Sequence, residues 1–161
     1  MTTASVALAT PEMFDLSSAD WRSLCLGNHN ILLEGPRADT DAVLAELLPS
    51  LRTPVMTRRS GRRRLKIPAG TTGALVIQDV ATLSSLDQGH LMGWLGEPGG
   101  RHVISMTEEP LFPLVARGEF NEGLYYRLNV VLLRLGGTSA LPDALPDDDE
   151  DTLDQEAAPV P

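Results

Sequence analysis

Apolar positions along the 161-residue chain alternate between short continuous runs and stretches with a helical period. Trp21, Leu24 and Cys25 recur at helical spacing behind a possible cap at Asp15 or Ser17, and Gly27-Asn28 ends that helix. Residues 30–34 form an apolar run closed by Gly35, which reads as a buried strand entering a turn. Val43, Leu44, Leu47, Leu48 and Leu51 mark a helix, with Asp39 or Thr40 as its expected cap. Residues 53–57 read as a second short strand and residues 74–78 as a buried one. Between them, residues 58–66 place a Ser-Gly turn between basic arms, a hairpin or a loop, and residues 68–73 are turn material. Leu83, Leu86, His90, Leu91, Trp94 and Leu95 recur at helical spacing, residues 102–106 form another strand, and Leu111, Leu114 and Val115 mark a short helix.

The last ordered stretch, residues 118–135, runs from helix directly into strand. Phe120, Leu124 and Leu128 recur at i, i+4 and i+8, Asn129 breaks the pattern, and residues 130–135 are a β-branched and leucine run expected to be a buried strand. The whole order is helix, β, α, β, loop, β, α, β, α, α, β. It predicts an α/β domain with a mostly parallel sheet and helices on both faces. The expected boundaries are a loose arm at 1–15, the folded domain at 16–136 and an acidic disordered tail at 137–161.

Charge changes this picture more than composition does. The formal net charge is −9, but eight of the 22 acids lie after residue 142, which leaves the body close to neutral. Six of the 13 bases (Arg58, Arg59, Arg62, Arg63, Arg64 and Lys66) form one patch. The patch has no interleaved aromatics for base stacking, so a solvated loop or a dock for acid is weighed above nucleic acid. The acidic tail leaves three readings open: a solubiliser, a shield folded back on the patch, or a mimic of a nucleic-acid backbone. No apolar run reaches the ~20 residues of a membrane span, and Met1 to Ala9 lacks the form of a signal peptide. The lone Cys25 excludes an internal disulfide and reads as a buried structural thiol, and a bacterial cytoplasm fits these features. His29, His90 and His102 show no metal-ligand spacing and read as structural or exposed; Trp94 reads as core.

Residues 118–135 resemble the Phe-Arg-Glu-Asp-Leu-Tyr-Tyr-Arg-Leu-Asn-Val signature of the AAA+ ATPase domain of sigma-54-dependent transcription activators. The resemblance extends from about Asn30 to Leu135. It implies a P-loop NTPase-like fold carrying a phosphate loop, a metal-and-water strand, a sensor strand and arginine fingers in that order.

Each of those motifs departs from the family here. The phosphate loop ends in Gly-Thr-Gly-Lys-Glu in the family and reads Gly35-Pro36-Arg37-Ala38-Asp39-Thr40-Asp41 in this chain. Only Gly35 survives. Thr40 adds a Cβ where backbone must approach phosphate, Asp41 replaces the lysine, and Arg37 supplies positive charge without the same geometry. Two unit charges at ~4 Å interact by ~4 kcal/mol at an intermediate dielectric, so reversing the sign disfavours phosphate by about twice that. In the Gly-Thr-Leu-Phe-Leu-Asp-Glu motif, Gln78 takes the metal-associated position and Asp79 the water-activating one; in a register shifted by one, Asp79 takes the metal position and Val80 the base, and the pair is broken either way. Glu108 stands at the sensor asparagine and Asn121 at the first arginine finger, while Arg127 keeps the second. The Gly-Ala-Phe-Thr-Gly-Ala loop that contacts sigma-54 has no counterpart between Thr57 and Ala74, and neither a lid nor a DNA-binding domain is expected after Leu135.

These residues imply a degenerate AAA+ module with no catalytic residues, no metal site and no ATP as cofactor. It is expected to act by protein–protein contact through the surface around Phe120, Asn121, Tyr125 and Arg127, on a sigma-54-dependent activator or like subunits. Two alternatives stand beside it: a weak ATP/ADP sensor of the same family, and a small nucleic-acid-associated regulator using the basic patch.

Overall fold

The computed structural model describes residues 18–67, 69, 73–99 and 101–136; the expected arm, the Asp15 or Ser17 cap, the acidic tail and most of the 68–73 turn lie outside them. Helix α1 (Ser18–Leu26) precedes β1 (Ile31–Glu34) and α2 (Arg37–Leu47), which tightens into a 3-10 turn at Leu48–Ser50. Then come β2 (Val55–Arg59), β3 (Ala74–Gln78), a 3-10 turn at Val80–Thr82, α3 (Ser85–Gly96) and β4 (His102–Thr107). Helices α4 (Leu111–Ala116) and α5 (Glu122–Leu128) lead into β5 (Val131–Arg134).

The five strands form one sheet in the order β2-β3-β4-β1-β5. Every neighbouring pair is parallel, with Ile31 of β1 opposite Ile104 of β4 and Val131 of β5. The inner strands read as continuous apolar runs because both of their faces are covered. All four residues of β1 and all six of β4 are buried. On one face Leu32, Leu75, Ile77 and Val103 meet Leu91 and Trp94 of α3, Leu111 and Leu114 of α4, and Leu124 and Leu128 of α5. On the other, Ile31, Leu33, Val76 and Ile104 meet Val43, Leu44 and Leu47 of α2, with Trp21, Leu24 and Cys25 of α1 packed against them.

Four expectations need correction. The strand at 130–135 is only partly buried: β5 is a sheet edge, with Leu133 and Leu135 buried, Val131 and Leu132 half-buried, and Val130 before it 55% exposed. A run of β-branched residues and leucines does not reveal which end of the sheet it occupies. The basic stretch is not a hairpin. Arg58 and Arg59 end β2, which pairs parallel to β3, so the chain must cross over instead of turning back. The described part of that crossover, residues 60–67, holds no helix and is pinned by Leu65, 6% exposed in the α3 face of the core. Leu86, placed on the apolar face of α3, is 57% exposed. Cys25 is half-buried.

Candidate functional site

In an open parallel sheet, ligands bind outside the carboxyl ends of the strands. That edge carries Gly35 after β1, Gln78 and Asp79 at the end of β3, and Thr107 and Glu108 at the end of β4. With Arg37, Thr40, Asp41 and Met106, the last four line one pocket, so the structure brings together most of the residues assigned to the altered nucleotide motifs.

The geometry of the turn after β1 decides what this pocket can hold. Only Gly35 and Pro36 separate β1 from α2. Helix α2 does not wait for Asp39 or Thr40 to cap it. Pro36 is its N-cap, without a side-chain hydrogen bond, and at φ −52 its ring presets entry into the helix. Residues 37–40, loop in a phosphate-binding turn, are the first helical turn here. The amides of Asp39 and Thr40 donate to the Pro36 carbonyl at 3.0 Å, and the Gly35 amide donates to Thr107 at 2.9 Å. Those amides therefore form no outward-facing cradle for a phosphate. Gly35 itself is required, because a Cβ there would meet the Leu135 carbonyl oxygen.

Side chains fill what the loop leaves. Arg37 reaches Gln78 Oε1 over a long 3.5 Å contact and pairs with Asp41 at 3.7 Å. The Thr40 hydroxyl donates to the Arg37 carbonyl at 3.0 Å. Asp79 adopts a left-handed conformation, φ 57, and its carboxylate takes Arg59 Nε at 2.6 Å. Glu108 is exposed on the pocket rim. The pocket encloses about 210 Å³ even with open solvent counted, less than the ~300–1,000 Å³ of ordinary small-molecule sites. Its lining carries three carboxylates and one guanidinium, a poor match for a polyphosphate. Among the described residues, no group of three His, Cys, Asp or Glu is placed to hold a metal ion.

The expected docking surface separates into two kinds of residue. Phe120 and Tyr125, at 3% and 6% exposure, belong to the core and cannot meet a partner directly; this corrects their assignment. The signature's apolar spacing already places Phe120 inside, and Tyr125 follows because α5 packs on both α3 and α4. Asn121 has a local role: its Oδ1 accepts the Leu124 amide at 2.9 Å and caps α5. Arg127 is exposed, with its guanidinium beside Gly96 at the end of α3. Tyr126 and Phe112, 59% and 54% exposed, flank Tyr125 on its solvent side.

Two buried polar residues that position this region were missed. Gln88 donates to the Leu83 and Glu119 carbonyls at 3.0 and 3.1 Å, and accepts the Asn121 amide at 2.7 Å. Glu34, 4% exposed at the end of β1, accepts the first amide of α4 at 3.0 Å and pairs with Arg134 at 3.3 Å. A glutamine within an apolar helical period and an acid closing an apolar strand were the available signals. The basic patch does not act as a unit: Arg58 binds the Lys66 carbonyl, Arg59 binds Asp79, and Arg64 lies 3.4 Å from His90 of α3. His90 and His29 are exposed, while His102 and Trp94 are buried.

Known proteins share this architecture. The chain is 36% identical to the HTH-type transcriptional regulatory protein TyrR of Enterobacter agglomerans over 39% of its own length and 14% of that protein. NtrX of Brucella abortus in complex with ATP superposes with a TM-score of 0.59 at 21% identity, covering 78% of this chain and 39% of that one. The ADP complex of NtrX superposes at 0.58 and 19% identity, covering 70% and 33%. These structures share the fold, and the chain spans a minor part of each relative's length. A family model for the sigma-54 interaction domain matches residues 22–137. The protein with this five-stranded parallel sheet thus belongs to the sigma-54 interaction domain family.

Proposed function

We propose that this protein is a regulatory module of sigma-54-type transcription control that works by contacting an activator or a like subunit, without an ATPase site of its own. The observation that carries the reading is the two-residue turn between β1 and α2, with Arg37 lying across the space against Gln78 and Asp41. A phosphate loop cannot be recovered there by side-chain changes alone, because the backbone itself is helical. Across the fold, α5 carries two exposed side chains of the types common in binding hot spots, Arg127 toward the end of α3 and Tyr126 next to Tyr125, which Phe112 of α4 also meets. Its relatives support the setting, since TyrR is a transcriptional regulatory protein and NtrX has been solved with ATP and with ADP. A cytoplasmic location accords with this reading, and no described helix is long and apolar enough to cross a membrane.

Two measurements test it together. Calorimetric titration with ATP and ADP at millimolar concentration gives no binding isotherm, and Asp41→Lys does not create one. Saturable heat from the unaltered chain would favour the nucleotide-sensor alternative. Pull-down with sigma-54-dependent activators from the same cell retains one of them, and Arg127→Ala weakens that retention at least tenfold. Retention of no activator ends the proposal.

A further inference from the structure

The crossover after β2 and the outer face of α3 enclose an open groove, walled by Arg64, Lys66 and Ile67 on one side and by His90, Trp94 and Glu97 on the other. Its floor includes Gly89 and Gly93 of α3, where an added Cβ would meet no atom within 4 Å, so another segment can approach the helix backbone closely. The rim is cationic and incompletely neutralised. Glu97 is turned to Arg101 at 2.6 Å, Lys66 is exposed with no side-chain hydrogen bond or ion pair among the described residues, and exposed Arg62 and Arg63 precede the groove-lining Arg64 in the chain. The groove thus asks for an acidic segment with a few apolar anchors.

The chain supplies one. Residues 141–154 read Leu141-Pro-Asp-Ala-Leu145-Pro-Asp-Asp-Asp-Glu-Asp-Thr-Leu153-Asp, three leucines among seven acids. The described structure ends at Gly136, just after β5, at the sheet edge opposite β2. Four strand spacings of about 4.8 Å make that crossing roughly 19 Å, and the residues from 137 to Leu145 reach about 30 Å when extended. We infer that residues 145–154 dock in this groove within the same molecule, placing leucines against Ile67 and the Gly89–Gly93 face of α3 and acids against Arg64 and Lys66. The basic rim is then covered until an acidic partner competes for it. This contact adjoins the Arg127 guanidinium at the end of α3 but needs neither an activator nor a nucleotide.

The test uses the full chain. Lys66 is the one lysine, so zero-length carbodiimide coupling of carboxylates to amines reports directly on what lies at the rim. Coupling in dilute protein joins Lys66 to an acid between Asp143 and Glu156 in the monomer, and the yield falls at least fivefold in 0.5 M salt. Amide exchange at Gly89, Gly93 and Trp94 slows at least fivefold relative to a full-length Leu145→Asp/Leu153→Asp variant, which keeps the acids and loses the anchors. Equal exchange in the two proteins would reduce the contact to diffuse attraction and overturn the docking. Links found only in dimers assign the groove to a second copy. Lys66 left free by the tail but protected by added duplex DNA assigns the rim to nucleic acid. Either result overturns the inference.

Discussion

The carboxyl edge of the sheet and the corner where α3 meets α5 respond differently to the same kind of sequence change. At the edge, charged groups were exchanged and the replacements pair with one another in or near solvent: Arg37 with Asp41, and Arg59 with Asp79. Exposed pairs are nearly neutral for stability, so family chemistry can be altered there at little cost to folding. At the corner, Asn121, aligned by resemblance with a family arginine, lies within a hydrogen-bonded network centred on the buried Gln88. A buried polar network holds only if every member is satisfied. The first region is open to change, and the second constrains the entry to α5 and so the placement of Arg127.

That contrast breaks most readily at Gln88. Gln88→Leu strands the Asn121 amide and two carbonyls, and urea unfolding should show a loss of about 3 kcal/mol; a loss below about 1 kcal/mol would show the corner to be as tolerant as the edge. Asn121→Ala removes the α5 cap and should cost about 1 kcal/mol, with Asn121→Asp restoring most of it. Reinstating the family residue through Asn121→Arg should cost as much as alanine, since arginine cannot accept the Leu124 amide. Arg59→Ala, at the edge, should stay within about 0.5 kcal/mol of the parent. A pH profile sharpens the comparison from a third position. Burial holds the His102 pKa below its ordinary value, aided by nearby Arg52 and His29, while a hydrogen bond to the His29 backbone opposes the shift. The unfolded chain therefore binds the proton first. The stabilisation is present above about pH 6.5 and declines as pH falls below it. Chemical denaturation between pH 7.5 and 5 should show that slope, and His102→Gln should flatten it.

The strands were legible because buried parallel strands are short apolar runs bounded by glycine and polar residues; β3 falls on residues 74–78 as read. The start of α2 was not, because aspartate and threonine are common caps and nothing local shows that Pro36 opens the helix earlier. That displacement bears on the proposed function, since it places residues 37–40 in a helical turn. The segment between β2 and β3 was open between hairpin and loop for a different reason. Its basic residues dominate the pattern, while the residue that fixes it is Leu65, whose amide also donates to Asp87. The residues read into the nucleotide motifs lie together at the sheet edge because strand ends converge in this topology. Phe120 and Tyr125 were misplaced because a motif marks which residues recur together, not which of them face outward.

The two-layered core has a practical consequence. The chain has two tryptophans, and they fall on opposite sides of the sheet: Trp21 packs from α1 into the α2 layer, and Trp94 lies in the α3–α5 layer. Each half of the interior thus carries its own optical label. Single-tryptophan versions would reveal whether the α1–α2 layer melts together with the layer that presents Arg127, or as a separate cooperative unit.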